Sequence, residues 1–158
     1  MSQLAEIALE EVGFVNGENL DNKYGKWYGL NNQPYSAMFI SWCFGKLGRS
    51  ELVEVSSKKG FASNKIAYEH FYKKYEQYKF WQVRVGDLIF LDFDGKKKDL
   101  QVGIVVGVVR KFGYPLWIET VEADTTADNA SAESKGLRTG VYRRTRVKKD
   151  VLTIFRLL

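Results

Sequence analysis

The sequence predicts an α+β fold in which N-terminal helices pack on an antiparallel β-sheet. Apolar residues recur at helical intervals through the first half of the chain. The period then changes to short apolar or β-branched segments, separated by clusters of Gly, Asp, Asn and Lys. Helices first and strands afterwards is the order of an α+β domain.

Between Ser2 and Val12, the residues Leu4, Ile7, Ala8 and Glu11 fall at helical intervals, with Ser2 as the N-cap and Gly13 as the stop. A loop rich in Asn and Gly leads to a turn at Lys23 to Gly29, where Tyr24, Trp27 and Tyr28 lie close together. The run from Ser36 to Leu47 has the apolar spacing of a buried helix closed by Gly48. Ser36 falls in its first turn, where free N–H groups and the positive end of the helix dipole can activate a nucleophile or bind an anion. Ser is also a preferred N-cap, and the residue taken alone reads as a cap.

Residues 49–59 read as a loop with a short helical turn. From Ser63 to Tyr78, Ile66, Ala67, His70, Phe71, Lys74 and Tyr75 share one face of a third helix, the last strong helical signal. Strands are expected over Asp87–Phe93, Val102–Val109, Leu116–Val121, Gly140–Arg146 and Leu152–Leu157. Gly95 to Lys98 is a solvated basic hairpin tip, and Ala123 to Leu137 a long exposed loop.

A length of 158 residues and 45% hydrophobic content fit one domain with a real core. Nine Tyr, ten Phe and four Trp imply a bulky core or a ring-lined groove, and core is the commoner use. The net charge of +5 favours anionic partners, but Lys and Arg are scattered among Asp and Glu. One Cys and one His exclude an internal disulfide framework and argue against zinc, and no cofactor is expected. Cys43 and His70 read as structural residues. Residues 1–13 are amphipathic and acidic, unlike a signal peptide, and no stretch has the length of a membrane span. The expectation is a soluble product made in the cytoplasm, which would reach a cell wall only by release or inside a phage particle.

The order of motifs resembles a CHAP domain, the cysteine- and histidine-dependent amidohydrolase/peptidase family common among bacteriophage endolysins, over residues 1–158. The matching segments are ALEEVG, NKYGKWYG, QPYSAMFISWCF, SSKKGFA, VGDLIFLDFDG, VGIVVGV, VEADTT and VYRRTR. The resemblance implies a papain-like α+β fold and a thiol hydrolase of peptidoglycan amide bonds, an amidase or endopeptidase. Its nucleophile, base and orienting group would be a Cys at a helix start, a His at a strand start and an acidic or amide residue on the next strand.

Carried over residue by residue, the family's Cys is Ser36 here, its His is Gln101, and its Glu-Gly-Asn segment is Glu122-Ala123-Asp124. A serine hydroxyl needs an adjacent base near neutral pH, and Gln101 cannot accept a proton in that range. Loss of such a pair removes rate on the order of 10⁶-fold in a comparable triad. The expectation is an inactive scaffold whose groove binds peptidoglycan or a protein partner. Trp27, Tyr28, Tyr35 and Trp117 would stack on the ligand, flanked by Gln33 and Gln101. A peptidoglycan hydrolase in inactivated or unusual form is the second reading. A scaffold recruited for protein binding or inhibition is the third, with Arg143, Arg144, Arg146, Lys148 and Lys149 as its surface. Nucleic-acid binding ranks below these, since no recognised motif accompanies the charge.

Overall fold

The computed structural model describes residues 2–125 and 138–158 of the chain. Helix α1 (Gln3–Glu10) begins where predicted, with the Ala5 N–H donating to Ser2 Oγ at 3.5 Å. The expected turn at Lys23 is a short helix, α2 (Lys23–Tyr28). Its first turn is capped by Asn22 Oδ1, which accepts from the Gly25 N–H at 2.7 Å, and it ends at Gly29 in the left-handed region (φ +103°). Helix α3 (Ser36–Lys46) follows, then α4 (Asn64–Lys74), capped by Ser63.

The third predicted helix is thus shorter than the Ser63–Tyr78 expected. Tyr75 turns to extended backbone, and its hydroxyl donates to Leu52 O at 2.8 Å. The chain then enters strand β1 (Gln77–Tyr78), whose pairing with the sheet outweighs the helical period of its side chains.

Strands β2 (Leu88–Leu91), β3 (Gln101–Lys111), β4 (Tyr114–Thr125), β5 (Gly140–Arg146) and β6 (Val151–Phe155) complete a six-stranded antiparallel sheet of order β1-β6-β2-β3-β4-β5. The fold is therefore α+β, with helices on an antiparallel sheet. Strand β4 is longer than predicted and absorbs Ala123, Asp124 and Thr125 from the expected loop; the remainder of that loop, 126–137, lies outside the described residues. Its pairing with β5 is irregular between Glu122 and Thr125, where Asp124 takes a left-handed backbone (φ +60°).

The helices bury one sheet face in a ring-rich core. Tyr24, Phe39, Phe44 and Phe71 are fully buried with Ile104, Val121 and Phe155, and Tyr24 stacks on Tyr35 with centroids 5.8 Å apart. Each such side chain contributes about 1.5–3 kcal/mol relative to exposure. A second cluster on the sheet's other side holds Val83, Ile89, Leu91, Val105, Ile118 and Ile154, with Tyr78 and Phe80 packed against it. Packing of α3 against β3 and β4 sets its first turn beside the start of β3 and the end of β4. No helix among the described residues is long and apolar enough to cross a membrane.

Candidate functional site

Ser36 is the first residue of α3 and not its cap. Tyr35 occupies the cap position and its side chain makes no capping hydrogen bond, while the Ser36 hydroxyl reaches across the fold. Ser36 Oγ donates to Gln101 Oε1 at 2.5 Å, and Asn64 Nδ2 donates to Ser36 Oγ at 3.2 Å. Gln101 Nε2 in turn donates to Ala123 O at 3.1 Å, and Asn64 Nδ2 also donates to Leu100 O at 2.9 Å. Residues from α3, α4, β3 and β4 thus meet in one chain of hydrogen bonds.

This cluster opens onto two adjoining depressions that share Pro34, Ser36, Asn64, Asp99 and Leu100. One, of about 430 Å³, adds Gln33, Lys65 and Lys98; the other, of about 580 Å³, adds Phe93, Gln101, Asp124 and Asp150. Together they form a cleft of mixed lining, with Asp124 and Asp150 beside Arg146 on one side and two lysines on the other.

The acidic positions behave differently from one another. Asp124 lines the cleft, where its Oδ2 accepts from the Tyr35 N–H at 3.2 Å and its Oδ1 from Thr139 Oγ1 at 2.6 Å. Burial pushes its carboxyl above the ordinary value, and these two hydrogen bonds offset only part of that rise. Glu122 is fully buried and does not bond to Gln101. Its Oε1 accepts from Thr120 Oγ1 at 2.8 Å and Arg146 Nε at 2.9 Å, and its Oε2 from Arg146 Nη2 at 2.7 Å. The expected orienting carboxylate is thus committed to an arginine, and the Ala123 carbonyl holds Gln101 instead. Burial works against the Arg146 guanidinium, but Glu122 and Asp150 outweigh it and raise its pKa.

The expected aromatic walls are largely absent. Tyr35 is fully buried, with its hydroxyl donating to Asn16 Oδ1 at 3.0 Å, so it is a core residue. Trp27 packs against Gly45 and carries the Lys59 ammonium over its ring, while the Tyr28 hydroxyl donates to Gly60 O at 3.4 Å. Neither lines the cleft. Trp117 lies on β4 six residues before Ala123, about 20 Å at the rise of an extended strand, and is also outside it. Both flanking residues, Gln33 and Gln101, line it with Ser36, and Phe93 is the one aromatic ring among the described lining residues.

The basic strip is also divided. Arg144 and Arg146 are only 7% and 8% exposed, because the Arg144 guanidinium donates to Thr125 Oγ1 at 2.6 Å and Arg146 binds Glu122. Arg143, Lys148 and Lys149 are the members that face solvent.

Neither Cys43 nor His70 lines the cleft. Cys43 is completely buried, and desolvation pushes its thiol well above the ordinary value. His70 lies on α4 beside a separate shallow depression with Glu69 and Lys73. Sequence reasoning missed Asn64, whose only local signal is its place after the Ser63 cap, Phe93, which reads as a strand end, and Asp99, which follows the basic hairpin tip. Chemically, the cleft offers a hydroxyl bonded to two amides, and among the described residues no carboxylate or imidazole hydrogen-bonds to Ser36. Comparison of the chain with protein-family models, with curated proteins and with solved structures finds no match.

Proposed function

We propose that this chain is a CHAP-like, papain-like scaffold whose cleft at Ser36 binds peptidoglycan stem peptide without cleaving it. The observation that carries the reading is the 2.5 Å hydrogen bond from Ser36 Oγ to Gln101 Oε1. The two positions that the family resemblance equates with a thiol and an imidazole are in direct contact, yet neither side chain can perform the family's proton transfer. A hydroxyl that donates to a primary amide keeps its proton, since the amide oxygen is far too weak a base to take it. The amides of Gln33, Asn64 and Gln101, with Asp99 and Asp124, provide donors and acceptors matched to an amide-rich, charged peptide.

The test uses purified bacterial cell walls. The protein sediments with walls and releases no amino groups, and Ser36→Arg, which fills the cleft from its centre, abolishes retention while leaving circular dichroism unchanged. Release of amino groups at enzyme-like rates, or full retention of a folded Ser36→Arg variant, overturns the proposal. Ser36→Cys combined with Gln101→His places a thiol and an imidazole at the same contact and is expected to liberate amino groups from walls. A folded but silent double variant counts against the family assignment and leaves the binding result standing.

A further inference from the structure

We infer that the chain carries a second ligand site, a stacking pocket for an anionic glycan, built on the smaller hydrophobic cluster. The pocket, of about 640 Å³, is walled by Tyr78, Phe80, Trp81, Tyr114 and Pro115 over a floor that includes Ile154. That volume lies within the range of small-ligand sites, about 300–1,000 Å³. It shares no lining residue with the cleft at Ser36, and nothing in the proposal for that cleft is needed for it.

Three observations support a ligand site. First, the rings are offered to solvent: Trp81 is 58% and Tyr114 70% exposed. Second, the backbone that carries the rings is held in place by the chain's own cations. Arg110 donates to Trp81 O at 3.3 Å, Gly113 O at 3.0 Å and Val83 O at 2.6 Å, which ties the β3–β4 hairpin to the Trp81 segment. Arg156 donates to Gln82 O at 2.9 Å and lies 4.1 Å over the Tyr78 ring. Such preorganisation removes part of the ordering cost of binding. Third, among the described residues the lining contains two lysines, Lys79 and Lys148, and no carboxylate; Glu76 stands outside the lining and accepts from the Tyr78 hydroxyl at 3.3 Å.

The chemistry selects among ligands. Pyranose rings lay their C–H faces on aromatic rings and turn hydroxyls outward, here toward Gln77 and Lys79, while the lysines complement carboxylates on the sugar. Exposed aromatic rings are also common in protein interfaces, but lysine is depleted there, and Lys79 and Lys148 therefore favour the glycan. Single-stranded nucleic acid fits less well too, since Arg110 is spent on backbone carbonyls and Arg156 on Asp87 and Gln82 O, which leaves two lysines in the described lining for phosphates.

The experiment is a ¹H–¹⁵N NMR titration with a polygalacturonate hexamer, with neutral chitopentaose and with an eight-residue oligothymidylate as comparators. The hexamer is expected to shift the Trp81 indole and Tyr114 amide signals and leave those of Ser36 and Gln101 in place. Trp81→Ala and Tyr114→Ala, with unchanged circular dichroism, each weaken binding by at least about fivefold. Lys79→Gln with Lys148→Gln flattens the salt dependence. Absence of any hexamer-induced shift at Trp81, undiminished binding by Trp81→Ala, chitopentaose binding as tightly as the hexamer, or oligothymidylate binding more tightly overturns the inference. So does a Trp81-dependent self-association seen by sedimentation velocity, which would mean that a second copy fills the pocket.

Discussion

Ser36 donates its one proton to an amide and accepts from another, and this commitment of the proton to an amide oxygen is what separates its environment from that of an activated nucleophile. Asp124 is the other telling residue, because its carboxyl sits near the first turn of α3, where the helix dipole favours negative charge, and burial still raises its pKa. The sign of the consequence follows. Between the ordinary value of 3.8 and the higher folded value, the folded state holds a proton that the unfolded state has lost, so stability falls as pH rises through that window. Asp124→Asn keeps an acceptor for the Tyr35 N–H and offers a donor to Thr139 Oγ1, and it removes the titration. Urea unfolding measured from about pH 3 to about pH 7 should show the variant gaining stability relative to wild type as pH rises. Parallel curves would mean that Asp124 titrates normally. The contact of positions 36 and 101 was legible in the sequence through the motif order alone. Asn64 and the partners of Asp124 were not, because hydrogen bonds between α4, β3, β4 and the cap of α3 leave no periodic trace in any one segment.

At the scale of elements, the β4–β5 pair shows why the reading of the arginines failed. Arginines near the end of a strand, with alternate positions assumed to face water, imply solvation, but Glu122 on the neighbouring strand turns Arg146 inward. Gly103 makes the room, since a Cβ there would stand 2.9 Å from Glu122 Cγ. Nothing local to residues 140–146 announces a carboxylate two dozen positions earlier. A buried pair broken on one side leaves an uncompensated charge, and Arg146→Ala is therefore expected to lose about 3–5 kcal/mol in chemical denaturation. Replacing both partners, with Glu122→Leu and Arg146→Met, should recover most of that loss. A cost below about 1 kcal/mol for Arg146→Ala would instead place the pair in the class of solvent-screened surface bridges. The helices α1 and α3 and the cores of β2, β3 and β5 were readable from period and caps. The ends of α4 and β4 were set by pairing partners and by an irregularity at Asp124, which propensity does not encode.

For the molecule as a whole, the α+β class was legible from the order of signals, but the strand order was not, because the last strand enters the middle of one half of the sheet. Strand β6 pairs with β1 on one side and β2 on the other, and it supplies Phe155 to the helix-covered core and Ile154 to the cluster on the opposite side. Just beyond it, Arg156 holds the nearly inaccessible Asp87 through two hydrogen bonds of 2.8 Å. One strand therefore closes both hydrophobic clusters, completes two ladders and neutralises a buried carboxylate. Its contacts are all non-local, so the entropy of closing the chain is recovered only when β6 docks. A chain ending at Asp150 should accordingly lack native packing everywhere, including at Ser36, and not merely fray at one edge. Near-UV circular dichroism without aromatic fine structure and a non-cooperative urea profile are the expected signatures. A sigmoidal transition with native near-UV signal would show that the helices and β2–β5 form a self-sufficient unit to which β6 adds little.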